Sequence, residues 1–192
     1  FLLLHLWSGS LKTEAVRRLS LILAVLALCG ALGTASAQAS PWTLTNLNLG
    51  DGETVFGMQC NAGGFCVGVG QEGVVIQSTA PTAGVSAWTV GHVNPAENLN
   101  GNLRGISCPT SSLCVAVDFS GGVWPTTNPA LGPRAWVPAK IPKAKALAGI
   151  SCVSETSCVL VGNGGLIFTS SNPTGGGAAW TRTALPSGPP LR

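Results

Sequence analysis

Beyond residue 40 the chain is a succession of short apolar runs cut by Gly, Pro, Asn and Ser. No stretch there keeps the rhythm of an amphipathic helix. The runs are rich in Val, Ile, Trp and Thr, which favour strands, and the cutting residues favour turns. The runs also recur. Gly105-Ile106-Ser107-Cys108 leads through a polar loop to Cys114-Val115-Ala116-Val117-Asp118. The same frame appears as Gly57-Met58-Gln59-Cys60 running to Cys66-Val67-Gly68-Val69-Gly70, and as Gly149-Ile150-Ser151-Cys152 running to Cys158-Val159-Leu160-Val161-Gly162.

Each copy continues with a third apolar run (Gly73-Val74-Val75-Ile76, Gly122-Val123-Trp124 or Gly165-Leu166-Ile167-Phe168), then a Pro-containing loop, then Trp88, Trp136 or Trp180. Trp88 to Trp136 is a step of 48 residues and Trp136 to Trp180 a step of 44, the same steps that separate Cys60, Cys108 and Cys152. Two independent markers therefore give one repeat, with copies over about residues 50–98, 99–144 and 145–185. In the middle copy the expected strands are 104–108, 114–117, 122–126 and 136–141. Four short strands in about 44 residues, repeated, predict the blades of a β-propeller. The Trp rings are expected to pack between blades or against the outer strands. Trp42-Thr43-Leu44 matches the tail of a blade, so residues 42–48 are expected to be a stray strand of a further one. The fold class is all-β: a partial propeller of about three four-stranded blades, after an N-terminal signal peptide.

The signal peptide is read from Val16-Arg17-Arg18, an apolar run over residues 19–32, and a small-residue region ending Ala35-Ser36-Ala37-Gln38-Ala39. Val16 serves as the expected start, which leaves residues 1–15 upstream and residues 16–39 as the leader. Two cleavage frames fit, after Ala37 and after Ala39, and the second is preferred. The rival is a retained anchor. The apolar run of 14 residues is shorter than the roughly 20 needed to span a bilayer, so the mature chain, residues 40–192, is expected to have no membrane span.

Export decides how the cysteines are read. Cys29 leaves with the leader, and six remain in pairs with five residues between partners. Fixed spacing and an even count in an exported chain predict the disulfides Cys60–Cys66, Cys108–Cys114 and Cys152–Cys158. Zinc sites use shorter spacers and converging pairs, and no histidine sits near these cysteines. A bridge closing about 7 residues is worth roughly 2.4 kcal/mol in the chain-entropy account. It is expected to tie each hairpin independently of a core.

Charge narrows the partners. From residue 40 onward the bases are Arg104, Arg134, Lys140, Lys143, Lys145, Arg182 and Arg192, and the acids are Asp51, Glu53, Glu72, Glu97, Asp118 and Glu155. The near balance argues against a nucleic-acid surface, which needs clustered bases. The Lys140, Lys143 and Lys145 group, broken by Pro142, reads as a solvated loop.

The strings Ile106-Ser107-Cys108-Pro109, Cys114-Val115-Ala116-Val117 and Thr169-Ser170-Ser171-Asn172-Pro173-Thr174-Gly175-Gly176-Gly177-Ala178-Ala179-Trp180 resemble exported actinobacterial propeller repeats. These are distantly similar to sialidase-type Asp-box (BNR-like) propellers and to photosystem II stability/assembly-factor-like propellers. The resemblance covers about residues 42–185 and implies the fold. Residues 171–180 form a degenerate Asp-box from which the Asp is absent, and copies one and two are further off.

Sialidase chemistry needs a tyrosine nucleophile and an arginine cluster, and the chain has no tyrosine. Glycoside hydrolysis otherwise needs two positioned carboxylates, and the six acids fall at unrelated places in the repeat. Asp118 stands where the other copies have Gly70 and Gly162, and reads as a turn-starting aspartate. His92 has no nucleophile elbow with it, and Gly175-Gly176-Gly177 lacks the Lys-Ser/Thr of a phosphate loop, so it reads as a flexible turn. No catalytic, cofactor or metal residue is assigned.

The expected function is a secreted or cell-surface, non-catalytic module that binds protein or glycan at one propeller face. The alternative is part of a propeller-fold glycoside hydrolase or lyase whose active site lies in other blades. A purely structural repeat is the third class. Three blades leave open edges, which invite self-association. More repeats in a longer chain, or two chains joined head to tail, would cover them. N-terminal sequencing of exported protein is expected to begin at Ser40; a mature form that retains residues 19–32 would show an anchor instead.

Overall fold

The computed structural model describes residues 44–94 and 99–184. The leader and the segment before it, with Trp42, Glu97 and residues 185–192, lie outside the described residues. The described chain forms three four-stranded antiparallel sheets. Blade one holds β1 (Val55–Cys60), β2 (Cys66–Gly70), β3 (Val74–Ser78) and β4 (Thr89–His92). Blade two holds β5 (Leu103–Ser107), β6 (Cys114–Asp118), β7 (Gly122–Thr126) and β8 (Ala139–Lys140). Blade three holds β9 (Leu147–Ser154), β10 (Ser157–Gly162), β11 (Leu166–Ser170) and β12 (Thr181–Ala184). Each sheet runs in chain order from inner to outer strand. Among the described residues no helix is long and apolar enough to cross a membrane.

Alternation along each second strand decides the stacking. Cross-strand partners share a face, and the register places Val67 opposite Gln77, Val115 opposite Pro125 and Val159 opposite Thr169. Val67, Val69 and Val75 of blade one enter one buried cluster with Leu103, Ile106, Ala116, Trp124 and Trp136 of blade two. Val115, Val117 and Val123 point the other way and enter a second cluster with Leu147, Leu160, Phe168 and Trp180 of blade three. The core is thus two layers between three blades, and every residue of β6 is buried. Trp136 and Trp180 each sit in a layer between blades at 5% exposure, while Trp88 is half-buried and donates to the Pro81 carbonyl at 3.3 Å.

The inner strands converge because they are glycine at the closest point. A Cβ on Gly105 would lie 3.0 Å from the Gly149 Cα, and one on Gly57 would lie 3.4 Å from the Gly105 Cα. Bulges fall at the same place, between Val55 and Gly57 and between Leu103 and Gly105. They turn the strand as it reaches the crowded edge.

All three bridges are formed, each tying the first two strands close to the loop that joins them, with Cα atoms 4.0 Å apart. Asn61 N–H donates to the Phe65 carbonyl at 2.9 Å, so the adjacent Cys60 and Cys66 form a non-hydrogen-bonded pair, the closer kind. The sulfurs do not act apart from the core. Cys108 and Cys114 belong to the layer between blades one and two, and Cys158 belongs to the next, with Cys152 packed against it. The bridge faces the preceding blade because the cysteines fall on that face of the pleat.

Two expectations are corrected. The fourth strand of blade two is Ala139–Lys140, not residues 136–141. The Pro125 carbonyl accepts from Val137 N–H at 2.9 Å, but Pro125 has no N–H to return, so the ladder stops there. Residues 44–48 form no strand. Asn46 Oδ1 takes the Asn48 N–H at 2.9 Å, a local bond that competes with a ladder, and Asn48 adopts a φ of 47°.

Asp118 is fully buried, and its carboxylate accepts from Ser120 Oγ at 2.7 Å, Gly122 N–H at 2.8 Å and Trp124 Nε1 at 2.8 Å. It starts the turn as expected. It also serves the indole of Trp124, which stands where the other copies have Ile76 and Phe168. Asp118→Ala leaves those donors buried without an acceptor and is expected to cost about 3 kcal/mol in urea unfolding. With Trp124→Phe already present the cost should fall by at least about 1 kcal/mol. Strictly additive costs would show that the pair is not coupled.

Candidate functional site

One rim carries the loops between first and second strands, closed by the bridges, together with the longer loops between third and fourth strands. Each long loop opens with the same turn. A Ser or Thr ending the third strand takes the backbone N–H two residues on: Ser78 from Ala80 at 3.0 Å, Thr126 from Asn128 at 3.2 Å, Ser170 from Asn172 at 3.0 Å. Each loop then makes a 3-10 turn, over Val85–Ala87, Pro133–Ala135 and Gly177–Ala179, that delivers the Trp. Gly175-Gly176-Gly177 is part of this packing rather than a loose tether. Gly177 is buried against the Lys140 carbonyl of blade two so closely that no Cβ fits.

Between blades two and three this rim opens into a groove of about 470 Å³. It is lined by Ser112 and Thr127 of blade two and by Glu155, Ser171, Asn172 and Thr174 of blade three. Most of the lining residues carry a hydroxyl or amide, with their carbon atoms and Leu113 supplying apolar surface. Glu155 is held across the junction: its Oε1 accepts from Thr110 Oγ1 at 2.7 Å and Ser112 Oγ at 3.0 Å. Thr110 Oγ1 in turn accepts from Leu113 N–H at 3.1 Å. The hydroxyls of Thr110, then Ser112, hold the Glu155 carboxyl below the usual range, so it stays ionised at neutral pH. Asn172 Oδ1 takes the Thr174 hydroxyl at 3.1 Å, which shapes the groove wall.

The other singled-out residues do not gather here. Glu53 pairs with His92 at 2.7 Å, and the hydrogen bond from His92 holds the Glu53 carboxyl below its ordinary value. Arg104 lies 4.3 Å from the ring centre of Phe56 and 5.2 Å from that of Phe119. Lys140 donates to the Ser120 carbonyl, so that part of the lysine group is engaged rather than free. Among the described residues no three His, Cys, Asp or Glu side chains are grouped to hold a metal. Ser171 and Thr174 stood in the sequence only as part of the degenerate Asp-box, and nothing there brought them to Ser112 and Thr127, because the groove forms where loops of two blades meet.

No protein-family model matches the chain. No curated protein matches it either. Solved structures do. YCF48 bound to D1 peptide is 14% identical with a TM-score of 0.54, over 68% of this chain and 40% of that one. YCF48 from Cyanidioschyzon merolae is 14% identical at 0.52, over 68% and 37%. Sqt1 of Saccharomyces cerevisiae is 12% identical at 0.51, over 69% and 35%. The fold is a β-propeller. At these identities the likeness shows the fold alone, and the chain spans well under half the length of each of these structures.

The Glu155 bonds generate a pH dependence. Because the folded-state value is lowered, the stabilisation is present above the unfolded value and is lost as pH falls through the folded one. Wild type is expected to be more resistant to urea than Glu155→Gln at neutral pH, with the gap closing well below the ordinary value of 4.5. A gap that persists in acid would mean that ionisation is not the cause.

Proposed function

We propose that the protein is a secreted or cell-surface, non-catalytic propeller module that binds a protein or glycan on the bridged rim. The groove between blades two and three carries this reading. Its hydroxyl, amide and carboxylate groups suit hydrogen-bonded recognition of a peptide backbone or sugar hydroxyls, and Leu113 offers a small apolar contact. The oxidised pairs support an exported location, since such bridges persist in oxidising compartments. That a propeller of the same fold is captured with a bound peptide supports a protein ligand. Self-association through a bare blade face belongs to the same reading.

The test is a screen of the oxidised protein against peptide and glycan arrays, followed by Thr174→Trp, which fills the groove. At least one class of ligand should bind, and the variant should weaken it at least roughly tenfold. No ligand on either array, or binding that Thr174→Trp leaves intact, would overturn the rim assignment. Shortening of a glycan during the assay would place the chain with hydrolases or lyases instead.

A further inference from the structure

The groove between blades two and three spends its protons inward. Thr110 and Ser112 both donate their hydroxyl protons to Glu155 Oε1, and Thr174 donates its own to Asn172 Oδ1. Ser112 and Thr174, which line the groove, are left with lone pairs and no proton to offer. On Glu155, two donors fill the lone-pair sites of Oε1, and no hydrogen bond reaches Oε2 among the described residues. The wall therefore presents acceptors.

The charge is local to this junction. Glu155 stands where the other two bridged loops have Gly63 and Ser111, so a bridged hairpin forms without it. It is the single charged side chain among the described residues that line the groove. The junction of blades one and two holds a smaller cavity of about 130 Å³, which includes Phe65 and Thr79, the counterparts of Leu113 and Thr127, and has no charged lining residue. The donors to Glu155 come from blade two and the carboxylate from blade three, so the group is held in place before a ligand arrives, which lowers the ordering cost of binding.

We propose that this groove takes the ammonium group of a lysine side chain on a protein partner, bound by Glu155 Oε2 and the acceptor oxygens of the groove wall. An ammonium carries three donors and no acceptor, which matches a wall of acceptors. A guanidinium grips a carboxylate best through both oxygens, and here Oε1 is already taken. A neutral sugar hydroxyl leaves the Glu155 charge uncompensated. An amino sugar carries its ammonium directly on the ring, whereas the lysine stem offers apolar length to Leu113. At about 470 Å³ the groove has room for that stem and for flanking backbone. The inference rests on the rim groove being the binding site, and it names the chemistry of the ligand.

NMR titration of the oxidised protein with a capped peptide bearing one central lysine tests it, since an exposed ion pair is weak and chemical shifts read weak binding. The amides of Ser112, Glu155 and Thr174 should shift. Acetylating the lysine should weaken binding at least roughly tenfold, and replacing it by arginine at least about threefold. An unacetylated glucosamine oligomer should bind at least about tenfold more weakly than the lysine peptide. Glu155→Gln should weaken the lysine peptide at least roughly tenfold. Thr127→Lys brings a tethered ammonium to the groove and should compete to a similar extent; Thr127 is exposed and makes none of the Glu155 bonds, so this variant serves even if Glu155→Gln loosens its loop. Acetyllysine, arginine or glucosamine binding as tightly as lysine overturns the proposal, and so does a lysine peptide indifferent to both variants. A neutral peptide or glycan that binds and is lost in Thr174→Trp, beside a lysine peptide that shifts nothing, would keep the rim and sink the lysine. No ligand of any kind would sink both.

Discussion

The second strand of every blade is apolar on both faces, and a single sheet cannot cover it. That constraint sets the architecture. Cys114 and Ala116 need cover on one side and Val115 and Val117 on the other, so the middle blade exists only as the filling between two neighbours. Burial of side chains of this size contributes about 1.5–3 kcal/mol each as an upper estimate. Hydrogen bonds within a blade add little net stability by comparison. Stacking therefore precedes any rim geometry: the groove lined by Glu155 and Thr127 is a by-product of how two blades meet.

Close approach of the inner strands makes that stacking wedge-shaped. Gly57, Gly105 and Gly149 let successive strands draw near on one side, while the Trp136 and Trp180 rings fill the wider side. Small residues at one edge and large rings at the other fan the blades about an axis. The hydroxyl and amide contacts from Gln59 and Ser107 fix how far each blade slides along its neighbour.

Much of this was legible because the repeat shows each position three times. The paired cysteines, the Val-x-Val strands and the spaced tryptophans gave blade number, strand order and bridges. The short β8 was legible in principle from Pro125, whose missing N–H falls on the side facing the fourth strand. Asp118 and Trp124 are both peculiar to the middle copy, but Asp118 was read only as a turn-starter, and its bond to the indole came from the structure. The groove was not legible. Ser112 and Thr127 join Asn172 and Thr174 only through the distance between two blades, and a one-dimensional pattern holds no record of that.

The placement of the bridges sets an order of events. Cys114 is fully covered and Cys158 is 2% exposed once the blades have stacked. The Cys108 and Cys114 thiols, and Cys158 of the next pair, are therefore open to an oxidant while the hairpin is still a free two-stranded ribbon, before it lies down on the blade ahead of it. A chain that stacked while reduced would seal its thiols in the dark layer between sheets, and would have to open again to be finished.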